Sequence, residues 1–493
     1  MKIFSALSLL LVCALLSGCR STGDMIIQYE GHLLVGAYSD AAALTQREAE
    51  RRNNDELMWR LLCGNARMLA AESPSATEQF DLAEDLFIAN DTQSVFTSAG
   101  ENTKAMLGSD ASFKYNGVGQ DRIFCCLYKA IEYAVQGNVA ATRTELNRAS
   151  QYQENWLFDR RKDIANAQER LDKEMAKIPE KERVAGVDAS GAQRDQVLSD
   201  ESFRNAMLEK CGIDSSAPLD LSRLAESEYG NAYVAYFTGV FRWLNGDGGR
   251  GFLRDAANWR PECQPVTQDF NANSSGKTPG NDVWIFVEDG LCSRREEWRV
   301  DLPLFILPGL GQYVLYAGMA LPALLERDAA AISYQAVTQE TPTGTPLALL
   351  ESIDELLRVE YEIYMKGAIA REISRAIVKT SAQIALGIAA DNADSMGAFY
   401  SLKAAQIGAG AWAASTTKAD IRSWVSLPKY VYAQHLQRPA NGKLSLVANT
   451  ATGNEMLQFD ISEGNTIVWV RKLSPTTPMV AKTITYQAFS VAK

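Results

Sequence analysis

The stretch Val283-Trp284-Ile285-Phe286-Val287-Glu288-Asp289-Gly290 follows a change in the composition of the chain. Its first five residues are apolar and β-branched or aromatic, which is typical of a strand, and Glu-Asp-Gly is typical of a turn. Helical periodicity dominates before this stretch, whereas short strand-like runs and helical runs alternate after it. The pattern predicts an α+β protein of several domains.

The residues before this strand form a predicted helical-repeat domain, 19–262. Three units near 57–87, 123–152 and 229–260 have spacings similar to the tetratricopeptide repeat, in which small residues let paired helices cross and a large residue fills the gap. Stacked units of this kind bury a shared face. A generic helical bundle is the alternative. In the first unit the similarity depends on Gly64, Ala76, Phe80 and Ala83.

Three further domains are predicted after residue 262. A small β-containing module spans 263–345, and a helical hairpin spans 346–436. Four short runs of strand-forming residues, separated by Gly-Asn, Glu-Gly-Asn and Pro-containing turns, then predict a small antiparallel β-sandwich over 437–493.

The second helix of the hairpin, 396–414, is rich in glycine and alanine, and Lys403 is its only charged residue. Small residues at this spacing let two helices approach closely, as in membrane-helix pairs. The hairpin is therefore expected either to pack inside the protein or to insert into lipid or a partner. Charged residues on the first helix, and a second helix barely long enough to span a bilayer, favour the packed hairpin.

The N-terminus has the features of a secretory signal. Lys2 precedes an apolar run that is too short for a permanent membrane span, which needs about 20 residues. The run ends in Leu16-Ser17-Gly18-Cys19, which resembles the lipobox of bacterial lipoproteins. We expect residues 1–18 to be removed and Cys19 to carry acyl chains that anchor the protein. Arg20 favours the outer membrane, facing the periplasm; an ordinary signal peptide is the alternative.

Composition narrows the possible functions. A net charge of -11 without a long basic run argues against nucleic-acid binding. With only two histidines, His32 and His435, a histidine-based triad or a metal site with several imidazoles is nearly excluded. Adjacent carboxylates such as Glu296 and Glu297 are typical of a solvated face. The sequence therefore predicts no catalytic residue, no metal and no cofactor.

Of the eight cysteines, Cys13 leaves with the signal and Cys19 is acylated, which leaves six. None forms a C-x-x-C pair, so neither a zinc site nor a thioredoxin-like site is predicted. In an oxidising compartment the six can form disulfides, and a bridge between Cys263 and Cys292 is the favoured guess. Buried free thiols are an equal alternative.

The segment Ala419-Asp420-Ile421-Arg422-Ser423-Trp424, with Leu427-Pro428 after it, is the most distinctive of the chain. Together with 371–376 and 284–290, it resembles a family of uncharacterised bacterial lipoproteins that have a tetratricopeptide-like N-terminal half. The resemblance covers nearly the whole mature chain and is clearest over 283–435. It implies an accessory role in envelope assembly. The family has no established activity, so no catalytic residue is carried over.

Asp420, Arg422 and Trp424 are the candidate site residues of this segment. They can form a recognition cluster for a ligand. A structural role is favoured instead, in which Asp420 and Arg422 pair and cap while Trp424 packs under the β-sandwich.

These features predict a membrane-anchored, non-catalytic adaptor of the cell envelope. It would bind envelope proteins, whose identity the sequence does not give, through the concave face of its repeats. One alternative is a carboxylate-dependent enzyme that acts on the cell wall or on glycans. A second is a membrane-associated assembly component that uses the Gly/Ala-rich hairpin.

Replacing Cys19 with serine is expected to abolish acylation, because the cysteine thiol is the group that accepts the diacylglyceryl chain. The measurement is incorporation of labelled palmitate in cells, followed by membrane fractionation. The Cys13→Ser variant should be labelled like the wild type, since residue 13 is removed with the signal. Labelling that survives Cys19→Ser would contradict the predicted anchor.

Overall fold

The computed structural model describes residues 21–94, 109–165, 183–184, 187–188, 201–213, 230–301, 314, 316 and 318–486. The predicted signal and the acylation site Cys19 lie outside the described residues. The mixed α+β class that the sequence predicts is confirmed.

Helices dominate the first half of the described chain, and strands alternate with two long helices in the second. The helices are α1 (Thr22–Leu34), α2 (Tyr38–Ala49), α3 (Glu56–Leu69), α4 (Ser73–Ser94), α5 (Gly119–Val135), α6 (Val139–Ala165), α7 (Glu201–Lys210), α8 (Ala232–Leu244), α9 (Arg250–Trp259), α10 (Gln264–Ser274), α11 (Ile353–Asp391) and α12 (Met396–Thr416). The strands are β1 (Arg183–Val184), β2 (Val187–Asp188), β3 (Asp282–Asp289), β4 (Arg294–Asp301), β5 (Gly318–Leu325), β6 (Ser333–Val337), β7 (Thr345–Pro346), β8 (Ala348–Ser352), β9 (Tyr430–Gln437), β10 (Lys443–Thr450), β11 (Gly453–Asp460), β12 (Asn465–Lys472) and β13 (Val480–Tyr486).

Consecutive helices of the first half pack in pairs, α3 with α4, α5 with α6 and α8 with α9. Each pair falls where the sequence predicts a helical unit. Gly64 lets α3 and α4 approach, because a Cβ added there would lie 2.5 Å from Cε1 of Phe80. Gly239 does the same for α8 and α9, where an added Cβ would lie 2.7 Å from Leu253. The predicted helical N-terminal half is therefore confirmed.

Two larger sheets form the centre of the second half. The five-stranded sheet has the order β13-β12-β3-β9-β8, in which β12 and β3 are parallel and the other neighbours are antiparallel. The four-stranded sheet, β11-β10-β6-β7, is antiparallel throughout. The hairpin β4-β5 packs separately against α11.

Strand β3 is buried along its whole length because both of its faces are covered. Trp284 and Phe286 belong to the core shared with the helical half. Val283, Ile285 and Val287 point the other way, into the core between the two sheets. A strand covered on both faces needs a continuous apolar run rather than an alternating one, which is the pattern in the sequence.

Strand pairing crosses the domain boundaries that the sequence predicts. β3 comes from the module expected over 263–345, yet it lies between β9 from 346–436 and β12 from 437–493. The four predicted C-terminal strands exist, but they divide between the two sheets, so the sandwich is not a C-terminal unit alone. Periodicity identifies a strand from its neighbours in sequence, whereas pairing is decided by residues far away in the chain.

Helices α11 and α12 form the predicted hairpin, with the break after Asp391. Ser352 caps the start of α11 by accepting the N–H of Glu355, and Ser395 caps α12 by accepting the N–H of Ala398. The expectation that the second helix is packed inside the protein is wrong, because only Gln406, Gly410 and Ala413 of α12 are buried. Among the helices that the structure describes, none is both long and apolar enough to cross a membrane.

The six cysteines of the described chain are buried free thiols. The guessed bridge between Cys263 and Cys292 is therefore absent, and the alternative of free thiols holds. Cys292 lies in the core beside the sheet, where its thiol faces the carbonyl oxygen of Trp424 at 3.5 Å.

Replacing Gly64 with alanine is expected to reduce the free energy of unfolding by about 1–3 kcal/mol, because the new methyl group would overlap the ring of Phe80. Gly31→Ala in α1 is the matched control, since no atom lies within 4 Å of the added Cβ. That control should stabilise the protein by about 0.5–1 kcal/mol. Urea denaturation measures both, and equal effects at the two positions would contradict the proposed helix contact.

Candidate functional site

A cleft of about 930 Å³ lies where the helical half meets α11 and the segment around residue 420. One wall consists of the loop 113–118, the start of α5 and the end of α6. The other wall consists of α11, Arg295 on β4, and the residues Asp420 and Arg422. The residues that line the cleft are thus distant in sequence, and aromatic and charged side chains are interspersed among them.

Arg422 joins the two walls at the bottom of the cleft. Its guanidinium donates to both carboxylate oxygens of Asp420, at 2.7 and 2.8 Å, and to Oδ1 of Asp55 at 3.1 Å. It also donates to the carbonyl oxygens of Phe113 at 2.6 Å and Asp110 at 3.0 Å. Burial opposes its charge, but Asp420 and Asp55 raise the pKa of Arg422 above its usual value. The group therefore fastens 420–422 to the helical half.

The sequence predicts that Trp424 packs under the β-sandwich, but the structure places its ring elsewhere. Its ring lies among aromatic side chains of the helical half, 5.9 Å from the ring of Phe80 and 5.7 Å from that of Tyr128. Its indole N–H donates to the hydroxyl of Ser426 at 3.1 Å. Trp424 is therefore a buried core residue, whereas Asp420 and Arg422 line the cleft.

A second ionic cluster holds α11 against the loop before α5. Asp110 accepts from the hydroxyl of Tyr364 at 2.8 Å and from Arg371 at 2.9 Å, and it pairs with Arg375 at 2.8 Å. Burial acts to raise the pKa of Asp110, but Arg371 and Arg375 outweigh it and hold that pKa well below its usual range. Asp110 is therefore a fixed anion.

The start of α5 is closely packed against the facing wall. The backbone N–H groups of Gly119 and Gln120 both donate to the carboxylate of Glu360 at 3.2 Å, so an acidic side chain of α11 caps α5. Gly119 also touches the ring of Trp156, since an added Cβ would lie 1.9 Å from that ring.

Two polar groups of the cleft lack a hydrogen-bond partner among the described residues. The indole N–H of Trp156 is buried, and no acceptor lies within reach of it. Arg295 forms no ion pair with a described carboxylate; its guanidinium lies 5.2 Å from the ring centre of Tyr364 and 5.6 Å from that of Tyr361. The guanidinium of Arg295 therefore lines the cleft as a donor for a ligand, whereas the indole N–H of Trp156 is buried against Gly119.

The carboxylates of Asp91, Asp110, Glu360 and Asp420 in the cleft are held by positive charges or N–H groups. Arg122, for example, binds Asp91 through two bonds of 2.6 Å. Burial raises the pKa of Asp121 to about 6 and those of Glu351 and Glu372 to about 7, but these three residues lie outside the cleft lining. Among the described residues, no two carboxylates converge across the cleft with one of them in position to donate a proton.

A separate group of potential metal ligands, Glu84, Cys126 and Glu145, lies between α4, α5 and α6. The ammonium group of Lys129 lies 2.7 Å from Glu84 and 3.2 Å from Glu145, and it also pairs with Asp81 at 2.6 Å. These carboxylates therefore neutralise a buried lysine, which explains their grouping without a metal.

Neither of the two histidines lines the cleft. His435 stacks on Trp284 with ring centres 4.2 Å apart, and its Nδ1 lies 2.6 Å from Asp269. Asp269 also accepts from the hydroxyl of Tyr236 at 2.6 Å and from the indole of Trp284 at 2.7 Å. This cluster fastens α10 to the five-stranded sheet and is enclosed by core residues.

Comparison of the chain with protein-family models, with curated proteins and with solved structures finds no match.

The sequence points to Asp420 and Arg422 but not to Arg295 or Trp156. Arg295 belongs to no sequence motif, and Trp156 lies in a charged helical stretch. The charge-rich sequence of α6 was the signal from which Trp156 could have been found. A tryptophan on an otherwise solvated helix needs a surface that covers it. Nothing in the sequence places that tryptophan opposite α11.

The stability of the protein is expected to fall more steeply between pH 7 and pH 9.5 than that of a His435→Gln variant. Burial opposes protonation of His435, but Asp269 and Asp282 outweigh it and raise its pKa from 6.5 to about 9. A raised pKa stabilises the fold below the unfolded value, and this stabilisation is lost as the pH passes about 9. The difference, up to about 3 kcal/mol, is measured by urea denaturation at each pH. Parallel pH profiles for the two proteins would contradict it.

Proposed function

We propose that this protein is a membrane-anchored lipoprotein that faces the periplasm and acts as a non-catalytic, protein-binding adaptor in envelope assembly. The lipobox-like sequence ending in Cys19 supports the anchor, and the resemblance of 283–435 to envelope lipoproteins supports the setting. The cleft between the helical half and α11 supports the binding role.

The observation that carries the proposal is Arg295, a guanidinium in the cleft that has no ion-pair partner among the described residues. An extended peptide segment suits it, because an acidic side chain can bind the guanidinium. The partly exposed side chains of Phe113, Tyr152 and Ile363 add apolar surface in the same cleft. Such a mixture is typical of peptide recognition.

The helical pairs α3-α4, α5-α6 and α8-α9 act in this proposal as divergent tetratricopeptide-like repeats. The close contacts at Gly64 and Gly239 support this role, because small residues at helix crossings are a feature of that repeat. The α5-α6 pair supplies one wall of the cleft, so the ligand would bind partly to the repeats and partly to α11.

A wall-active or glycan-active enzyme is the weaker candidate. Its mechanism needs two carboxylates that face each other with different proton affinities. The cleft carboxylates are instead paired with arginine or bound by N–H groups, as Asp91 and Glu360 illustrate.

A photoreactive amino acid at Asn155 is expected to crosslink a defined envelope protein in cells, because Asn155 is exposed and lines the cleft. The same probe at Thr144, exposed on the same helix outside the cleft lining, is the control and should give no such adduct. Adducts are identified by mass spectrometry after affinity purification.

Charge reversal at Arg295 sharpens this test. Arg295→Glu should reduce the Asn155 adduct about tenfold or more. The variant would lose the charge-assisted hydrogen bond to the acidic side chain of the ligand and would leave that desolvated carboxylate without a partner. Arg299→Glu on the same strand is the matched control, because Arg299 is exposed and outside the cleft. Recovery of wall glycan in place of a protein, or equal adducts in both variants, would contradict the adaptor proposal.

A further inference from the structure

Two tyrosine rings of α11 hold the side chain of Arg295 in the cleft. The guanidinium of Arg295 lies 5.6 Å from the ring centre of Tyr361 and 5.2 Å from that of Tyr364. Residues three positions apart lie on the same side of a helix, so both rings face this one side chain of β4. The attraction between a cation and the π-electrons of a ring uses none of the N–H groups of the guanidinium in conventional hydrogen bonds.

Both rings are fixed in place through their hydroxyl groups. The hydroxyl of Tyr361 lies 2.7 Å from the carbonyl oxygens of Cys211 and Pro322, and that of Tyr364 donates to Asp110 at 2.8 Å. Asp110 is itself the fixed anion of the second ionic cluster. The position of the cation between the rings is therefore set before a ligand arrives, which lowers the entropic cost of binding.

The donors of Arg295 remain available within the described part of the chain. Its guanidinium forms no hydrogen bond and no ion pair with a described residue, and the partly exposed side chain lines the cleft. A guanidinium carries five N–H groups at the edge of a plane, and two parallel N–H groups match the two oxygens of a carboxylate. A planar carboxylate is therefore the group that suits this side chain best.

The charges of the cleft lining are balanced except for one excess positive charge. Five cations line the cleft against four carboxylates, namely Lys114, Arg122, Arg295, Arg371 and Arg422 against Asp91, Asp110, Glu360 and Asp420. Each aspartate of this set pairs with an arginine, and Glu360 accepts backbone N–H groups. Arg295 is the arginine of the lining that has no carboxylate partner among the described residues, so one added negative charge completes the balance.

A phosphate monoester, or two adjacent carboxylates, would match this lining less well than a single carboxylate. A phosphate monoester carries nearly two negative charges at pH 7, so one of them would stay unbalanced beside four anions that are fixed in position. An unpaired charge that has lost part of its water is costly in a partly enclosed site. The charge balance of the cleft therefore selects one carboxylate and disfavours a polyanion.

We propose that the cleft recognises a single carboxylate of its ligand, bound by paired hydrogen bonds to Arg295 and flanked by uncharged residues. An acidic side chain within a peptide and the C-terminus of a peptide both supply this group. The partly exposed side chains of Phe113 and Ile363 contact the uncharged neighbours. The inference rests on the proposed function and narrows the class of its ligand, with Arg295 as the residue that determines specificity.

The test measures the binding of four tripeptides to the purified full-length protein by ligand-observed NMR. A tripeptide suits the cleft, whose volume of about 930 Å³ is typical of a large small-molecule pocket. The probes are acetyl-Phe-Glu-Phe-amide, acetyl-Phe-Gln-Phe with a free C-terminus, the neutral acetyl-Phe-Gln-Phe-amide and acetyl-Phe-phosphoserine-Phe-amide. At least one single-carboxylate probe should bind about tenfold more tightly than the neutral and phosphorylated probes, and the tighter of the two identifies the source of the carboxylate.

A lysine variant separates planar recognition from charge alone. Arg295→Lys keeps the positive charge but has no pair of parallel N–H groups, so the preference for the carboxylate probe should fall about tenfold. Arg295→Gln should abolish the preference. Arg299→Lys on the same strand is the matched control, because Arg299 is exposed and outside the cleft, and it should keep the preference. Thermal unfolding of each variant is measured alongside, and the lysine variant, which keeps a cation beside the rings, carries the test where the glutamine variant does not fold.

Equal binding of the neutral and single-carboxylate probes, or no binding of any probe, would overturn the carboxylate site. Tighter binding of the phosphorylated probe, an unchanged preference in Arg295→Lys, or an equal loss in Arg299→Lys would overturn it as well. Crosslinking at Asn155 in cells tests the adaptor separately. A protein adduct without a carboxylate preference would leave the adaptor in place, whereas a carboxylate preference without a protein adduct would leave the carboxylate site in place.

Discussion

The carboxylate of Glu288, at the end of β3, is the group on which the union of the two halves depends. It accepts from the hydroxyl of Tyr128 on α5 at 2.9 Å, from that of Tyr233 on α8 at 3.0 Å and from the indole of Trp469 on β12 at 3.0 Å. Burial raises the pKa of Glu288, and the surrounding donors and Arg471 act against that increase. An anion without water is tolerable only when donors surround it, so both halves must be in place together.

Other buried polar contacts repeat this arrangement along the same boundary. Glu351, at the end of β8, accepts the backbone N–H of Ala232 at the start of α8 at 2.7 Å and pairs with Arg260. Arg422 links the segment after α12 to α3 and to the loop before α5. Each of these side chains belongs to the second half of the chain and has hydrogen-bond partners in the first. The cleft is the part of this boundary that stays open.

The sequence predicted the local elements well because their signals are local. The continuous apolar run of β3, the small residues of the α3-α4 crossing and the break after Asp391 each depend on neighbouring residues. The strand pairing crosses the predicted domain boundaries, because β3 pairs in parallel with β12 across a long stretch of intervening chain. That pairing leaves no periodic mark in the sequence.

The candidate site was less predictable for the same reason. Two residues of its lining, Arg295 and Trp156, come from different halves, and neither has a motif of its own. The exposure of α12 could not be foreseen either, because a glycine- and alanine-rich helix is compatible with a buried and with an exposed position.

The central physical claim is that the helical half and the sheets form one cooperative unit joined through β3. Fluorine NMR of protein labelled with 5-fluorotryptophan follows both parts, with Trp59 on α3 and Trp469 on β12 assigned by single substitution among the nine tryptophans. The account predicts that both native signals disappear at the same urea concentration. A native Trp59 signal that persists after that of Trp469 is lost would show that the halves fold independently and would contradict it.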